Sequence, residues 1–228
     1  DEAMDHVQVL DPDLEVTLSR VAGRPARVLA ELSKDAFLTV VGSTGLNAFT
    51  GLLAGSVSVS LTAHGHSPVV VVRAPGVPVT GSVVVGISGS PDCEEAIAWA
   101  FEEASMRGAE LVAVLVWSYM PAYFYYEEPP WNDLAGRARE EQQEMLLAER
   151  LAGWQDKFPD VVVRRITAIG NPGQVLLSHA QRAQLVVTGS RGRGDATGLL
   201  LGSTSHKLIH QANCPVLVAR PHARESTR

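Results

Sequence analysis

The sequence contains a repeat of itself at an offset of 147 residues. The segment GRPARVLAELSKDAFLTVVGSTG, which starts at Gly23, aligns with GNPGQVLLSHAQRAQLVVTGSRG, which starts at Gly170. The alignment runs without a gap over 12–73 and 159–220, so that SPVVVVR in the first copy matches CPVLVAR in the second. An ungapped match of this length indicates that both copies adopt the same fold.

The second copy is preceded by the stretch 82–150, whose counterpart in the first copy would lie before the first residue of the chain. We therefore predict the C-terminal half of one domain at 1–76, a linker at 77–81, a complete domain at 82–222 and a tail at 223–228. The connecting sequence APGVPVTG is rich in proline and glycine, which is typical of a short linker.

Strand and helix patterns alternate along the complete domain. Apolar runs predict five strands, at 82–88, 111–117, 161–167, 185–189 and 216–219. After the first strand a helix is predicted, with Ser90 as its cap and Pro91 as its first residue. Further helices are predicted from about Asn132 to Trp154, from Pro172 to about Ala180, and at 204–212. Strands separated by helices predict an α/β domain with a doubly wound, five-stranded parallel sheet and helices on both faces, here in tandem.

A glycine-rich loop leaves the fourth strand of the complete domain and enters the last helix. Its spacing is Gly189-x2-Gly192-x9-Gly202-Ser203, and the first copy keeps every interval as Gly42-x2-Gly45-x9-Gly55-Ser56. Glycines let backbone N–H groups come close to a ligand. We expect free amides of Gly202, Ser203 and Thr204 at the positive end of the helix, beside the hydroxyls of the serine and the threonine. Such an arrangement binds phosphate.

The alternative for this loop is a flexible connection in which Ser203 is an ordinary helix N-cap. Identical spacing in both copies favours phosphate binding over that alternative, and the absence of GK[ST] excludes a P-loop. Arg191 and Arg193 stand where the first copy has Thr44 and Leu46. They either neutralise phosphate or are solvent-exposed arginines, and the sequence leaves both open.

With these motifs the sequence resembles the universal stress protein family of the nucleotide-binding type, whose hallmark is G-x2-G-x9-G-[ST]. VVVGISGSP after the linker, the GNP turn at 170–172 and the closing CPVLVAR also match the family. The resemblance covers nearly the whole chain, as a tandem pair with its first domain truncated at the N-terminus. It implies a Rossmann-like fold of the adenine nucleotide alpha hydrolase type.

The resemblance also implies a site for ATP, with Mg²⁺ accompanying the nucleotide. The ribose and phosphates would lie near the glycine loop, at Gly189, Arg191, Gly192, Gly202, Ser203 and Thr204, and the adenine near the backbone of Val116. Ser88 stands where the family usually has Asp, so a charged contact to the nucleotide is replaced by a neutral one. The first copy offers a partial site that suits a phosphate, at Gly42, Gly45, Gly55 and Ser56.

The function that the resemblance implies is that of a nucleotide-dependent stress sensor or regulator. Nothing in the loop supplies a general base for an attacking water, so we expect ATP hydrolysis to be slow at most. Two alternatives remain open: a dimerising interaction module with a degenerate, empty site, and an ATPase. SPVVVVR and CPVLVAR have the character of edge strands, and their pairing would give an intramolecular pseudo-dimer or a homo-oligomer.

Other classes of function fit the sequence poorly. A net charge of −6 argues against a broad surface for nucleic acid or anionic membrane. The apolar runs have the length of strands, the two cysteines lack CxxC spacing and no signal peptide is visible, so we expect a cytoplasmic protein. GISGS resembles a nucleophile elbow, but Ser90 stands where that pattern requires glycine.

Two further features of the sequence are candidates for a functional role. His206 and His210 are four residues apart on a predicted helix without a third ligand nearby, so we expect surface histidines and no metal site. The aromatic residues of 117–131 could cover a ligand or a partner, and the commoner arrangement is a loop folded over its own domain.

Overall fold

The computed structural model describes residues 2–43, 54–73, 80–90, 93–117, 134–190 and 201–220. The helices in these ranges are α1 Glu2–Leu10, α2 Pro25–Leu32, α3 Ser56–His64, α4 Glu94–Arg107, α5 Leu134–Leu151, α6 Trp154–Lys157, α7 Pro172–Ala180 and α8 Ser203–Gln211. The strands are β1 Thr39–Gly42, β2 Val69–Val72, β3 Ser82–Ile87, β4 Leu111–Trp117, β5 Val163–Ile169, β6 Ala183–Gly189 and β7 Val216–Ala219.

The seven described strands form one sheet in the order β1-β2-β7-β6-β3-β4-β5. Neighbouring strands are parallel, except that β2 and β7 are antiparallel. From β3 the chain winds outward through β4 to β5 and then crosses back to β6 and β7 on the other side. The predicted doubly wound parallel sheet of five strands is therefore confirmed, and the two strands of the first copy extend it to seven.

The structure repeats where the sequence does. At the offset of 147 residues, α3 has the same bounds as α8, and β2 has the same bounds as β7. The last strands of the two copies pair with each other inside this chain, with Val70 opposite Leu217. The intramolecular pairing that the edge-strand pattern predicts is thus present in the sheet.

Both faces of the sheet are covered by helices. Along β3, Val83 and Val85 belong to one buried cluster and Val84 to the other, because successive side chains of a strand point to opposite faces. The first cluster packs against α4 and α5, and the second against α3, α7 and α8. A strand that is buried on both faces has to be apolar at every position, which accounts for its continuous valine run.

Several element boundaries differ from the sequence-based expectation. The helix predicted at 132–154 ends at Leu151, because Gly153 adopts a left-handed φ of 78°, and α6 begins after it. The third strand of the complete domain is β5, two residues later than predicted, since its register with β4 runs from Leu111–Val163 to Trp117–Ile169. The strand β6 begins two residues earlier than predicted and α8 one residue earlier.

The start of α4 also differs from the prediction. Cys93 occupies the N-cap position, and no side chain caps the helix. Ser90 instead accepts a hydrogen bond from the Cys93 amide at its carbonyl oxygen, at 3.3 Å. Ser90 therefore belongs to the turn before the helix.

Candidate functional site

The candidate site lies where the winding direction of the sheet reverses, between the carboxyl ends of β3 and β6. In doubly wound sheets ligands bind in the crevice at this point. The pairing of β3 with β6 stops at Val85 and Val187, two residues before either strand ends. Ser88 follows β3 and Gly189 ends β6, so both predicted site residues lie at the rim of the same crevice.

Val116 contributes its backbone to this rim. The carbonyl of the next residue, Trp117, accepts a hydrogen bond from the Gly170 amide at 3.0 Å, on the β5 side of β4. Backbone groups of successive residues in a strand point to opposite sides, so the N–H and C=O of Val116 point toward β3. The pairing of β3 with β4 ends at Ile87 and Leu115, which leaves Val116 one position beyond it, with its backbone groups directed toward the crevice.

The turn after β3 is closed by its own hydrogen bonds. The half-buried Ser88 has its hydroxyl oxygen 3.0 Å from that of Ser90, and its carbonyl accepts the Cys93 thiol at 3.1 Å. Burial raises the pKa of the Cys93 thiol, which keeps it a neutral donor. From α5, the Arg150 guanidinium donates to the carbonyl of Gly89 at 3.1 Å. This arginine brings a positive charge to the turn.

The glycine loop returns to the sheet at Gly202. The Gly202 amide donates to the carbonyl of Ser190 at 2.8 Å, and the Ser190 amide donates to Ala219 of β7 at 2.9 Å. The hydroxyl of Ser205 donates to the carbonyl of Gly189 at 2.6 Å. These three bonds fix the start of α8 above the end of β6. The prediction that the Gly202 amide is free is wrong, because this amide closes the loop.

The free donors of α8 begin one residue later. Gly202 is the N-cap of the helix, so Ser203 is its first helical residue and not the cap. The amides at the start of a helix have no intrahelical acceptor, and those of Ser203 and Thr204 donate to no other described residue. Ser203 is exposed and Thr204 is half-buried. Arg191 and Gly192 lie outside the described residues.

The first copy repeats two of these three bonds. The Gly55 amide donates to the carbonyl of Ser43, and the Ser43 amide donates to Val72 of β2 at 2.7 Å. Gly42 ends β1 and Ser56 begins α3, as their equivalents do in the second copy. Gly45 lies outside the described residues. The two backbone bonds are thus a property of the repeat, whereas the Ser58 hydroxyl donates to the carbonyl of Gly55 and not to that of Gly42.

Three residues that shape the site are absent from the sequence-based prediction. Ser190 and Ser205 hold the two ends of the loop, and both have serine equivalents in the first copy, at Ser43 and Ser58. The repeat therefore carried a signal for them. Arg150 has no such equivalent and reaches Gly89 across a large sequence separation, so no local pattern indicates it.

His210 is not the free surface histidine that we expected. Its ring centroid lies 4.4 Å from that of His206, and its Nδ1 accepts a hydrogen bond from the Ala54 amide at 3.2 Å. Burial lowers the pKa of His210, and the nearby charges of His206 and Arg73 lower it further. Among the described residues, no three His, Cys, Asp or Glu side chains come together as metal ligands.

Two other sequence-based expectations concern segments that the structure describes only in part. Of the aromatic stretch 117–131, Trp117 is buried in the core, and the rest lies outside the described residues. No helix in the described ranges combines the length and the apolar character needed to cross a bilayer.

Comparison with known proteins agrees with this architecture. The model of the universal stress protein family matches residues 3–73 and 80–220. Universal stress protein Rv1996 of Mycobacterium tuberculosis is 43% identical over 209 residues, which cover 90% of this chain and 66% of that protein. Universal stress protein Rv2005c of the same organism is 43% identical over 214 residues, which cover 92% of this chain and 70% of that protein. The chain therefore spans about two thirds of the length of these relatives.

Solved structures show the same fold. A universal stress protein from Archaeoglobus fulgidus matches with a TM-score of 0.65 at 23% identity, covering 98% of this chain and 75% of that chain. A protein of unknown function from Pseudomonas aeruginosa, PA1789, matches with a TM-score of 0.66 at 15% identity, covering 96% of this chain and 77% of that chain. By its family match over both copies and its identity to these relatives, the chain belongs to the universal stress protein family.

Proposed function

We propose that the complete domain binds ATP in the crevice between β3 and β6, and that the protein acts as a nucleotide-dependent stress sensor or regulator. One observation carries the proposal. The Gly202–Ser190 and Ser205–Gly189 hydrogen bonds fix the start of α8 at the carboxyl end of β6, with the amides of Ser203 and Thr204 left for a ligand. A fixed helix start with free amides at a topological switch point has the features that suit phosphate binding.

The phosphates would lie at the start of α8. The positive end of a helix stabilises an anion by about 0.3–2 kcal/mol, and the hydroxyls of Ser203 and Thr204 add donors beside the amides. In this proposal Arg191 and Gly192 complete the phosphate site from the loop. The first copy, with Gly42, Gly55 and Ser56 in the equivalent positions and Gly45 in its loop, would take a phosphate group in the same way.

The base would lie across the end of β3. The backbone of Val116 presents one donor and one acceptor side by side, and adenine offers the complementary pair on one edge. Ser88 would contact the base or ribose through a neutral hydroxyl. The oxygen of this hydroxyl also lies within hydrogen-bond distance of the Ser90 hydroxyl. A neutral contact gives less affinity than a carboxylate would, by about 1–2 kcal/mol.

Mg²⁺ would enter with the nucleotide. Magnesium keeps several waters and binds mainly to phosphate oxygens in such sites, so it needs few protein ligands. The hydroxyls of Ser203 and Thr204 fit that requirement, since they are oxygen donors at the helix start. Serine, threonine, glycine and backbone groups do not take a proton from water at neutral pH, so we propose nucleotide binding with slow hydrolysis at most.

A second candidate is an interaction module in which this site is empty. The local hydrogen bond between Ser88 and Ser90 favours it, because the hydroxyl has a partner without any ligand. The pairing of β2 with β7 would then be the functional feature, either within one chain or as a basis for further assembly. Both candidates place the protein in the cytoplasm, which suits two buried cysteines that form no disulfide.

Calorimetric titration with MgATP tests the proposal. We expect saturable binding to the wild type and at least tenfold weaker binding to Ser203→Asp, because its carboxylate repels phosphate. Acidic residues stabilise the first turn of a helix, so this variant should keep its thermal stability. Ser56→Asp, the matched change in the first copy, should leave the affinity of the complete domain unchanged. Absence of heat and of bound nucleotide in the wild type would favour the empty module.

A further inference from the structure

His210 connects the two copies at their glycine loops. It lies in the last turn of α8, the helix that begins at the second loop, and it is half-buried. Its Nδ1 accepts a hydrogen bond of 3.2 Å from the amide of Ala54, the residue directly before Gly55 in the first loop. One helix thus begins at one loop and holds the end of the other.

This bond has no symmetric counterpart. At the offset of 147 residues, His210 corresponds to Ala63 and Ala54 corresponds to Leu201. Alanine has no acceptor in its side chain, so α3 cannot hold the second loop in the same way. In the part of the chain that the structure describes, the histidine bond is therefore made to the first loop and not to the second.

The bond depends on the protonation state of the imidazole. A ring nitrogen that accepts a hydrogen bond is unprotonated, so His210 is neutral with its proton on Nε2. When the ring takes up a second proton, Nδ1 becomes a donor and faces another donor, the Ala54 N–H. The bond is then lost.

The surroundings of His210 resist a positive charge but do not exclude it. On the same helix, the centroid of the His206 ring lies 4.4 Å from that of the His210 ring. From the first copy, Arg73 donates to the carbonyl of Ile209 at 2.7 Å, which brings a guanidinium next to the same turn. Both groups, together with partial burial, lower the pKa of His210. The neutral form is therefore the stable one near neutral pH.

We propose that His210 is a pH-sensitive latch that holds the end of the first glycine loop against α8 at neutral pH and releases it in acid. The latch concerns the first copy and the contact between copies. It stands whether or not the complete domain binds a nucleotide.

Amide exchange measured by NMR on the whole chain tests the latch. At pH 7.5 the Ala54 amide should be protected, and His210→Ala should speed its exchange up to about tenfold, the equivalent of one hydrogen bond. His210→Asn keeps an acceptor oxygen that does not titrate, so Ala54 should stay protected at both pH 7.5 and pH 5. In the wild type, protection should fall as the His210 ring titrates, after correction for the intrinsic pH dependence of exchange. The Leu201 amide, which has no histidine partner among the described residues, is the internal control.

The ¹⁵N shifts of the imidazole give a second measurement that needs no variant. They should show Nδ1 unprotonated at pH 7.5, and His206→Ala should raise the pKa of His210. The proposal is overturned if Nδ1 carries the proton at pH 7.5. It is also overturned if the Ala54 amide keeps its protection after His210 has become protonated.

Discussion

Val70 of β2 and Leu217 of β7 lie opposite each other across the antiparallel junction of the sheet, and each is the equivalent of the other in the repeat. The neighbouring pairs, Val69–Val218 and Val71–Val216, exchange under the same offset. A local two-fold axis therefore passes through the Val70–Leu217 pair. The two copies are joined as the subunits of a symmetric dimer would be.

Two arginines repeat this symmetry at the edge of the junction. Arg73 follows β2 and donates to the carbonyl of Ile209 in α8 at 2.7 Å. Its equivalent, Arg220, follows β7 and donates to the carbonyl of Thr62 in α3. In each case a cation meets the C-terminal turn of the helix that starts at the other copy's glycine loop, where the helix dipole favours positive charge.

Replacing Arg73 by Met should destabilise the contact between the copies. The side chain keeps most of its apolar stem, but the carbonyl of Ile209 loses a charged donor, which costs about 1–3 kcal/mol. Urea unfolding of the variant at neutral pH measures the loss. Arg220→Met, the matched change, should cost a similar amount, since it removes the symmetric bond. An unchanged free energy of unfolding in both variants would show that these bonds do not stabilise the junction.

Ser88→Asp should tighten ATP binding if the base lies at the end of β3. A carboxylate accepts stronger hydrogen bonds than a hydroxyl, and the gain of about 1–2 kcal/mol corresponds to roughly a five- to thirtyfold lower Kd. Titration calorimetry of the variant and the wild type with MgATP gives the ratio. Ser90→Asp, two residues further in the same turn, controls for the added charge and should not give this gain. Equal or weaker binding to Ser88→Asp would place the base elsewhere.

The repeat explains how far the sequence could predict the fold. The last helix and last strand of each copy match residue for residue, because each has the same neighbours in both copies. The segment 16–22 shows the limit, since its equivalent, β5, pairs with β4 along its whole length. The first copy has no described equivalent of β4, and 16–22 forms no strand, with Leu18 and Val21 more than half exposed. A strand pattern specifies a strand only when a partner strand is available.

The site shows a similar division. Glycine spacing placed Gly189 and Gly202 at the two ends of the loop, and the repeat also marked Ser190 and Ser205. The contacts Arg150–Gly89 and His210–Ala54 join residues far apart in the chain, and packing alone decides them. Periodicity and spacing report local structure, so they do not indicate contacts between distant segments.

Gly81→Ala should be much more destabilising than Gly108→Ala. Both glycines have positive φ, 154° and 57°, so either change strains the backbone. A Cβ on Gly81 would also collide with the carbonyl oxygen of Arg182, whereas a Cβ on Gly108 meets nothing within 4 Å. We expect a loss of about 1 kcal/mol for Gly108→Ala and several kcal/mol for Gly81→Ala, measured by urea unfolding. Equal losses would mean that the start of β3 moves to make room.

Acid should destabilise the fold in part through two histidines. The pKa of His210 is lowered by burial, by His206 and by Arg73, and that of His179 is lowered by burial and by Arg164. An unfolded histidine titrates near pH 6.5, so the unfolded chain takes up protons that the folded chain resists. Their contribution to stability is therefore complete above about pH 6.5 and declines as the pH falls from there toward the lowered folded pKa values.

Replacing these histidines by non-titrating residues should remove part of that decline. The free energy of unfolding of His179→Gln and of His210→Asn, measured in urea at pH 7.5 and pH 5.5, should fall less between the two pH values than that of the wild type. The effect of His210→Asn should be partly coupled to His206, since the two ring centroids are 4.4 Å apart. His206→Ala should therefore also lessen the fall in the free energy of unfolding, because it removes the repulsion between the two rings. His64→Gln is the control, since that exposed ring bonds only within its own helix, to the carbonyl of Ser60, among the contacts described. A decline in His210→Asn as steep as that of the wild type would mean that the ring is as easily protonated in the folded chain as in the unfolded one.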